Sequence, residues 1–159
     1  MRGCSFNILT MKSQQLFSEK EKEAIVNAIK AAELNTSGEI RVHIEDHFKE
    51  NNVLDRAVKV FAELGMHKTE LRNGVLFYLA ITDRKFAIIG DAGINQKVPK
   101  DFWDNIKERM ASKFREGLFT DGLTEGLYLA GEQMKQHFPR AIDDVNELSD
   151  EISFGDSKE

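Results

Sequence analysis

The apolar positions of this chain change period along its length, and each change marks an element. Ser18-Glu19-Lys20-Glu21 reads as a capping box, in which the Ser18 hydroxyl accepts from the Glu21 amide and Glu21 reaches back. Ile25, Ala28, Ile29 and Ala32 then recur at helical spacing, and Thr36-Ser37-Gly38 ends the helix. Glu39 to Glu45 alternates strictly, with Ile40, Val42 and Ile44 on one face, as in a half-buried strand with a solvated polar side. Leu54, Ala57, Val58, Phe61 and Leu64 form the stripe of a second helix, stopped at Gly65, where a left-handed residue is wanted.

Val75 to Ile81 is nearly continuous in apolar residues, which suits a central strand covered on both faces. The short polar link Thr82-Asp83-Arg84-Lys85 leads into a further strand, Phe86 to Ile89, and reads as a hairpin. Pro99 suits the first position of a helix whose stripe is Phe102, Ile106, Met110 and Phe114 and which ends at Gly117. Thr120 is expected to cap a last helix with Leu123, Leu127, Ala130, Met134 and Phe138 on one face. Gly126 and Gly131 inside it each cost about 1 kcal/mol against Ala, and are expected to permit a close approach to the sheet.

The order helix, strand, helix, strand, strand, helix, helix points to an α/β fold. A strand–helix–strand crossover is right-handed and parallel, and the hairpin adds an antiparallel strand. The expected product is a three-layer α/β/α sandwich around a small mixed sheet, Rossmann-like in class. Residues 1–16 read as a leader, residues 17–138 as the domain, and residues 139–159 as an acidic tail. That tail keeps Ile142, Val145, Leu148, Ile152 and Phe154, which allow docking, while its charge density favours loose order.

Charge sharpens the picture. Of 27 acids and 22 bases, seven acids and two bases fall in residues 139–159, so the body is neutral and the net charge of −5 sits in the tail. Without a basic surplus, nucleic acid is not an expected partner. The single cysteine, Cys4, excludes an internal disulfide framework and a Cys-based zinc site. No run reaches the roughly 18 apolar residues of a membrane span, and Phe6 to Leu9 is too short for a secretory signal. The chain is expected to be soluble, cytoplasmic and monomeric.

Arg72-Asn73-Gly74-Val75-Leu76, followed by Asp83-Arg84-Lys85 and Gly90-x-x-Gly93, resembles the signature of the TPM domain family. Phe114-Arg115-Glu116-Gly117 and Gly122-Leu123 resemble its closing motif, so the resemblance spans Phe17 to Phe138. It implies an α/β/α sandwich and divalent-cation binding by acidic loops. Members of the family include thylakoid-lumen proteins associated with photosystem II repair, for which acid phosphatase activity has been proposed. Where the family commonly has an aromatic residue between its two glycines, this chain has Asp91-Ala92.

The topology sorts the polar residues into two poles. Glu39, Asn73 and Asp91 fall at one end of the sheet, and Glu45, Asp46, Asp83 and Arg84 at the other, towards which Asp121 also returns. Such oxygen ligands suit calcium or magnesium, so Asp83, Asp91, Glu39, Asp46 and Asp121 are the candidate metal ligands. Each also has an ordinary structural reading: Asp83 and Asp91 as turn residues, Glu39 as a solvated charge, Asp121 as a helix N-terminal carboxylate, Asn73 as a turn-setter. His43 and His47 lie about 13 Å apart along an extended chain, too far to share an ion, and His67 and His137 read as surface residues. Asp144-x-Asn146 begins like a calcium loop but continues with Leu148 and lacks the glycine. The chain carries no GxSxG, P-loop, GxGxxG or HExxH motif. The leading expectation is a non-catalytic domain that binds a divalent cation weakly and acts with a protein partner. A weak metal-assisted acid phosphatase and a metal-free protein-interaction adaptor are the alternatives.

Overall fold

The capping box forms as the sequence dictates: Glu21 N donates to Ser18 Oγ (3.1 Å) and Ser18 N to Glu21 Oε1 (2.9 Å). It opens α1 (Glu19–Glu33), which is followed by β1 (Glu39–Glu45), α2 (Val53–Glu63) and a single 3-10 turn, Met66–Lys68. The chain continues as β2 (Gly74–Ala80), β3 (Lys85–Gly90), α3 (Ala92–Asn95), α4 (Asp104–Arg115), α5 (Phe119–His137) and β4 (Ser153–Phe154). This computed structural model describes residues 16–140 and 148–155, so the leader through residue 15 and Asp144-x-Asn146 lie outside the described residues.

The sheet runs β3-β2-β1-β4. β1 pairs parallel with β2, β2 antiparallel with β3, and β1 parallel with β4. One face, with Ile40, Val42, Ile44, Val75, Phe77 and Leu79, packs on α1, α4 and α5. The other, with Leu76, Tyr78, Ala80 and Ala87, packs on Ala57, Val60 and Phe61 of α2 and on Met66. The result is the expected three-layer mixed α/β fold. Both faces of β2 are buried along all seven residues, as its continuous apolar run requires. Gly65 (φ 69°) and Gly117 (φ 80°) take the left-handed conformation at the ends of α2 and α4.

Several local expectations change. Leu54 and Val58 are each 54% exposed, and α2 instead buries Ala57, Val60 and Phe61; the helix is rotated so that Arg56 faces the sheet. α4 starts at Asp104, not Pro99. Phe102 N bonds Pro99 O (3.0 Å) in a turn that sends the adjacent rings of Phe102 and Trp103 into the core, which one helical stripe cannot do for neighbouring residues. α5 begins at Phe119 without a side-chain cap, so Thr120 lies inside it. The tail carries order that its charge did not suggest: residues 148–155 dock along β1, with Ile152 and Phe154 against one core and Leu148 against the other.

The glycines of α5 serve helix contacts rather than the sheet. A Cβ on Gly126 would lie 2.4 Å from Met110 Sδ of α4, and one on Gly131 would lie 2.7 Å from Ala32 Cα of α1. In an open helix Gly→Ala gains about 1 kcal/mol. At Gly131 the clash is with the Ala32 backbone, and overpacking costs about 1–3 kcal/mol. Gly131→Ala should therefore lower stability to urea, by about 1 kcal/mol net; a gain would mean that α1 and α5 part more easily than their contact indicates.

Candidate functional site

The register places the acidic residues at two ends of the sheet, as the topology requires. Glu39 pairs with Gly74, and Val75 with Gly90. Asp91 N donates to Gly74 O (2.9 Å) and Glu39 N to Asn73 O (3.0 Å), which joins Glu39, Asn73 and Asp91 at the first rim. At the other end Ile81 N donates to Glu45 O (2.9 Å) and Thr82 N to Asp46 O (3.0 Å), which joins Glu45, Asp46 and the hairpin turn.

At the first rim Asp91 caps α3: its Oδ1 accepts from Ala92 N (2.7 Å). Arg72 clasps the same carboxylate with Nε at 2.7 Å and Nη2 at 2.8 Å. Burial alone would push the Asp91 carboxyl up; the Arg72 fork and the Ala92 amide prevail and hold it below the usual range. Glu39 is not the solvated charge that a strand end suggested. It is 4% exposed, and its Oε1 accepts from Leu148 N (2.6 Å). Asn73 is buried and donates from Nδ2 to Ser37 O (2.8 Å); the left-handed residue here is its neighbour Arg72 (φ 52°).

Glu33, at the end of α1, adjoins this rim and was not singled out by the sequence. Its Oε2 accepts from Ile40 N (2.7 Å), and its carboxyl shares a hydrogen bond with Asp150. Burial first, then the Asp150 bond and the nearby Glu39 charge, push it up to about 9. A carboxyl so placed is protonated at neutral pH and can donate to Asp150.

The second rim centres on Glu45. Arg56 binds it through Nε (2.8 Å) and Nη2 (3.0 Å), the Tyr78 hydroxyl donates to Oε2, and His43 Nε2 lies 3.5 Å from Oε1. Burial would raise this carboxyl, but the bonds from His43, Arg56 and Tyr78 bring it down to about 2. Arg56 and Tyr78 are likewise held in their protonated forms. His43 Nδ1 meets Ser153 Oγ at 2.9 Å, so its partners are a hydroxyl and a carboxylate.

Asp83 does more than turn the chain. Its Oδ2 accepts from Phe48 N (2.9 Å) and its Oδ1 meets His47 Nδ1 (3.2 Å). The left-handed residue of the hairpin is Arg84 (φ 57°). Asp121 stands apart in the first turn of α5, exposed, on an open groove of about 400 Å³ that Lys113, Thr124 and Tyr128 also line. His67 is exposed, whereas His137 is half-buried, edge-on to Phe102 at 5.4 Å between centroids. Among the described residues no three His, Cys, Asp or Glu side chains converge on one point, and no helix is long and apolar enough to cross a membrane.

Glu45 and Glu33 give stability opposite pH dependences. Glu45, lowered to about 2, contributes stability that is present above the ordinary 4.5 and lost as pH falls towards 2. Glu33, raised to about 9, contributes stability that is complete below 4.5 and lost as pH rises from there to about 9. Glutamine reproduces the protonated carboxyl at position 33, accepting from Ile40 and donating to Asp150. Glu33→Gln should therefore gain on the wild type by more than about 1 kcal/mol between pH 5 and pH 8.5 in urea unfolding. Parallel decline of the two proteins would remove the proton from this site.

A family model for the TPM domain matches residues 10–133. The chain is similar to the BA42 protein of the psychrophilic bacterium Bizionia argentinensis, at 46% identity and a TM-score of 0.82, over 87% of this chain and 95% of that one. The N-terminal domain of a P. gingivalis protein is 21% identical, with a TM-score of 0.64 over 79% of this chain and 83% of that one. The N-terminal domain of cg2496 from Corynebacterium glutamicum is 13% identical, with a TM-score of 0.62 over 77% and 76%. These last two share the fold. No curated protein matches. Because the family model covers well over half of its length, the chain belongs to the TPM domain family.

Proposed function

We propose that this chain is a non-catalytic TPM-type binding domain, cytoplasmic and monomeric. In this reading it takes calcium or magnesium weakly at the second rim and works through a protein partner. The observation that carries the cation reading is the tie between two loops. Thr82 N bonds Asp46 O (3.0 Å) and Phe48 N bonds Asp83 Oδ2 (2.9 Å), which brings two acidic residues to one edge. Both ions prefer carboxylate, carbonyl and water oxygens. Asp83 is 29% exposed at its side chain, and among the described residues no Arg or Lys lies within ion-pair distance of it.

The first rim suits a cation less well. An ion at Asp91 would compete with the Arg72 fork, and one at Glu39 with the Leu148 amide. Glu45 is neutralised in the same way by Arg56. With Asp83 as the partly exposed carboxylate and most of the shell water, the second rim fits a loosely held ion, with a dissociation constant on the order of 10⁻⁴–10⁻³ M. The non-catalytic reading rests on the buried carboxylates. Glu45 and Asp91 are fixed in the ionised state by guanidinium groups, and Glu33 is held protonated up to about 9 between the Ile40 amide and Asp150. General acid–base work, by contrast, needs a group that exchanges its proton near the working pH.

Titrating calcium or magnesium into isotope-labelled protein tests the reading. The largest saturable amide shifts are expected at residues 46–49 and 82–85, and Asp83→Asn should abolish them. Shifts centred on Glu39 and Asp91, or confined to residues 143–159, would overturn the assignment. Turnover of a chromogenic phosphate ester that falls sharply in Asp83→Asn would replace binding with catalysis.

A further inference from the structure

On the α2 side of the sheet, β1 presents Glu39, Arg41, His43 and Glu45, four polar residues in succession on a face otherwise built of Leu76, Tyr78, Ala80 and Ala87. Such a stripe is costly unless each group finds a partner. Residues 148–155 supply partners in step with the strand. Leu148 N donates to Glu39 Oε1, the Glu151 charge acts on Arg41, Ser153 Oγ meets His43 Nδ1, and Gly155 N donates to Ile44 O (2.7 Å). Counted in steps of two from the pair His43↔Ser153, Arg41 falls level with Glu151 and Glu45 with Gly155, both beyond the paired residues. At that last place a Cβ would lie 2.3 Å from Glu45 Cβ, so only glycine fits against the fixed carboxylate.

Regular pairing, by contrast, is minimal. Of the seven residues of β1, only His43 and Ile44 pair with β4. Arg41 Nε is buried without a hydrogen-bond partner among the described residues, so the groove holds a donor that its present occupant leaves unused. The family match ends at residue 133, which puts the docked segment outside the shared region. The contacts are thus specific in chemistry and small in extent, the features of a peptide held in a recognition groove rather than of a core strand.

We infer that the outer edge of β1 is a recognition groove for an extended segment, occupied in this chain by its own residues 148–155, and that a partner protein takes their place. The partner segment carries an apolar residue, an acid three positions on, a hydroxyl two beyond that and a glycine after two more, as in Leu148, Glu151, Ser153 and Gly155. Main-chain bonds to β1 hold it, the acid meets Arg41, the hydroxyl meets His43, and the glycine clears Glu45. The inference does not depend on the cation rim.

The full-length chain provides the test. Gly155→Val cannot sit against Glu45 and should release residues 148–155. A fluorescent peptide of sequence LSDEISFG is then expected to bind the Gly155→Val protein saturably, and the wild type at least about tenfold more weakly, because the tethered segment competes at high effective concentration. Arg41→Gln in the Gly155→Val background should weaken the peptide about tenfold, and a scrambled peptide should not bind. Hydrogen exchange of the wild type gives a readout free of any variant: the Gly155 and Leu148 amides should exchange at least about tenfold faster than that of Phe77, through a smaller opening. The inference is overturned if these amides are as protected as Phe77, or if the Gly155→Val protein keeps its core but ignores the peptide. A concentration-dependent dimer of the wild type would assign the groove to a second copy and equally overturn it.

Discussion

One buried carboxylate, Glu45, decides how the α2 layer meets the sheet. A charge in that position is tolerated only when its neighbours replace the lost water. The Arg56 fork, the Tyr78 hydroxyl and the His43 ring do so from three different elements. Removing one partner of such a buried pair typically costs about 3–5 kcal/mol. The requirement propagates outwards. Arg56 has to face inwards, which turns Leu54 and Val58 towards solvent. Tyr78 stays in a strand otherwise wholly apolar, and the polar side of β1 becomes an interior surface rather than a wet one.

That chain of consequences marks the boundary of what a linear reading reaches. The order of the seven larger elements, the pairings of β1 with β2 and of β2 with β3, the capping box and the two poles were legible, because hydrophobic period and turn chemistry act locally. The inward turn of Arg56 was not. Its partner lies eleven residues away and becomes a neighbour only once strand and helix are packed. A polar residue at a helical stripe reads as solvent-facing unless its ion partner is known. The same blindness covers Glu39 and Glu33, whose partners Leu148 and Asp150 are more than a hundred residues distant. A two-residue strand such as β4 has no period to detect, and the turn before α4 exists to admit two adjacent rings, which no single-face template describes.

The two rims also differ in how their charge is spent. At the first, the acidic groups meet a guanidinium, an amide and a second carboxyl, so each of them has a partner within the fold. At the second, the deeper carboxylate is neutralised while Asp83, nearer the surface, meets an amide and an imidazole among the described residues. The contrast arises because Arg72 and Arg56 each serve one end, and neither extends to the hairpin turn. What separates the rims is therefore the position of two arginines more than the number of acids, a quantity that composition alone does not report.

The glycine pair of the Gly90-x-x-Gly93 motif has a further implication. Gly93 does not take a left-handed angle; a side chain there would collide with backbone, since its Cβ would fall 2.2 Å from Leu71 O and 2.6 Å from Arg72 O. Its amide donates to that same Arg72 carbonyl (2.9 Å). The second glycine therefore marks a crossing of two main chains, welded side by side just where the Arg72 guanidinium departs towards Asp91. In this fold a glycine spacing that invites comparison with phosphate cradles is a joint, and its natural correlate is rigidity between neighbouring loops instead of room for a ligand.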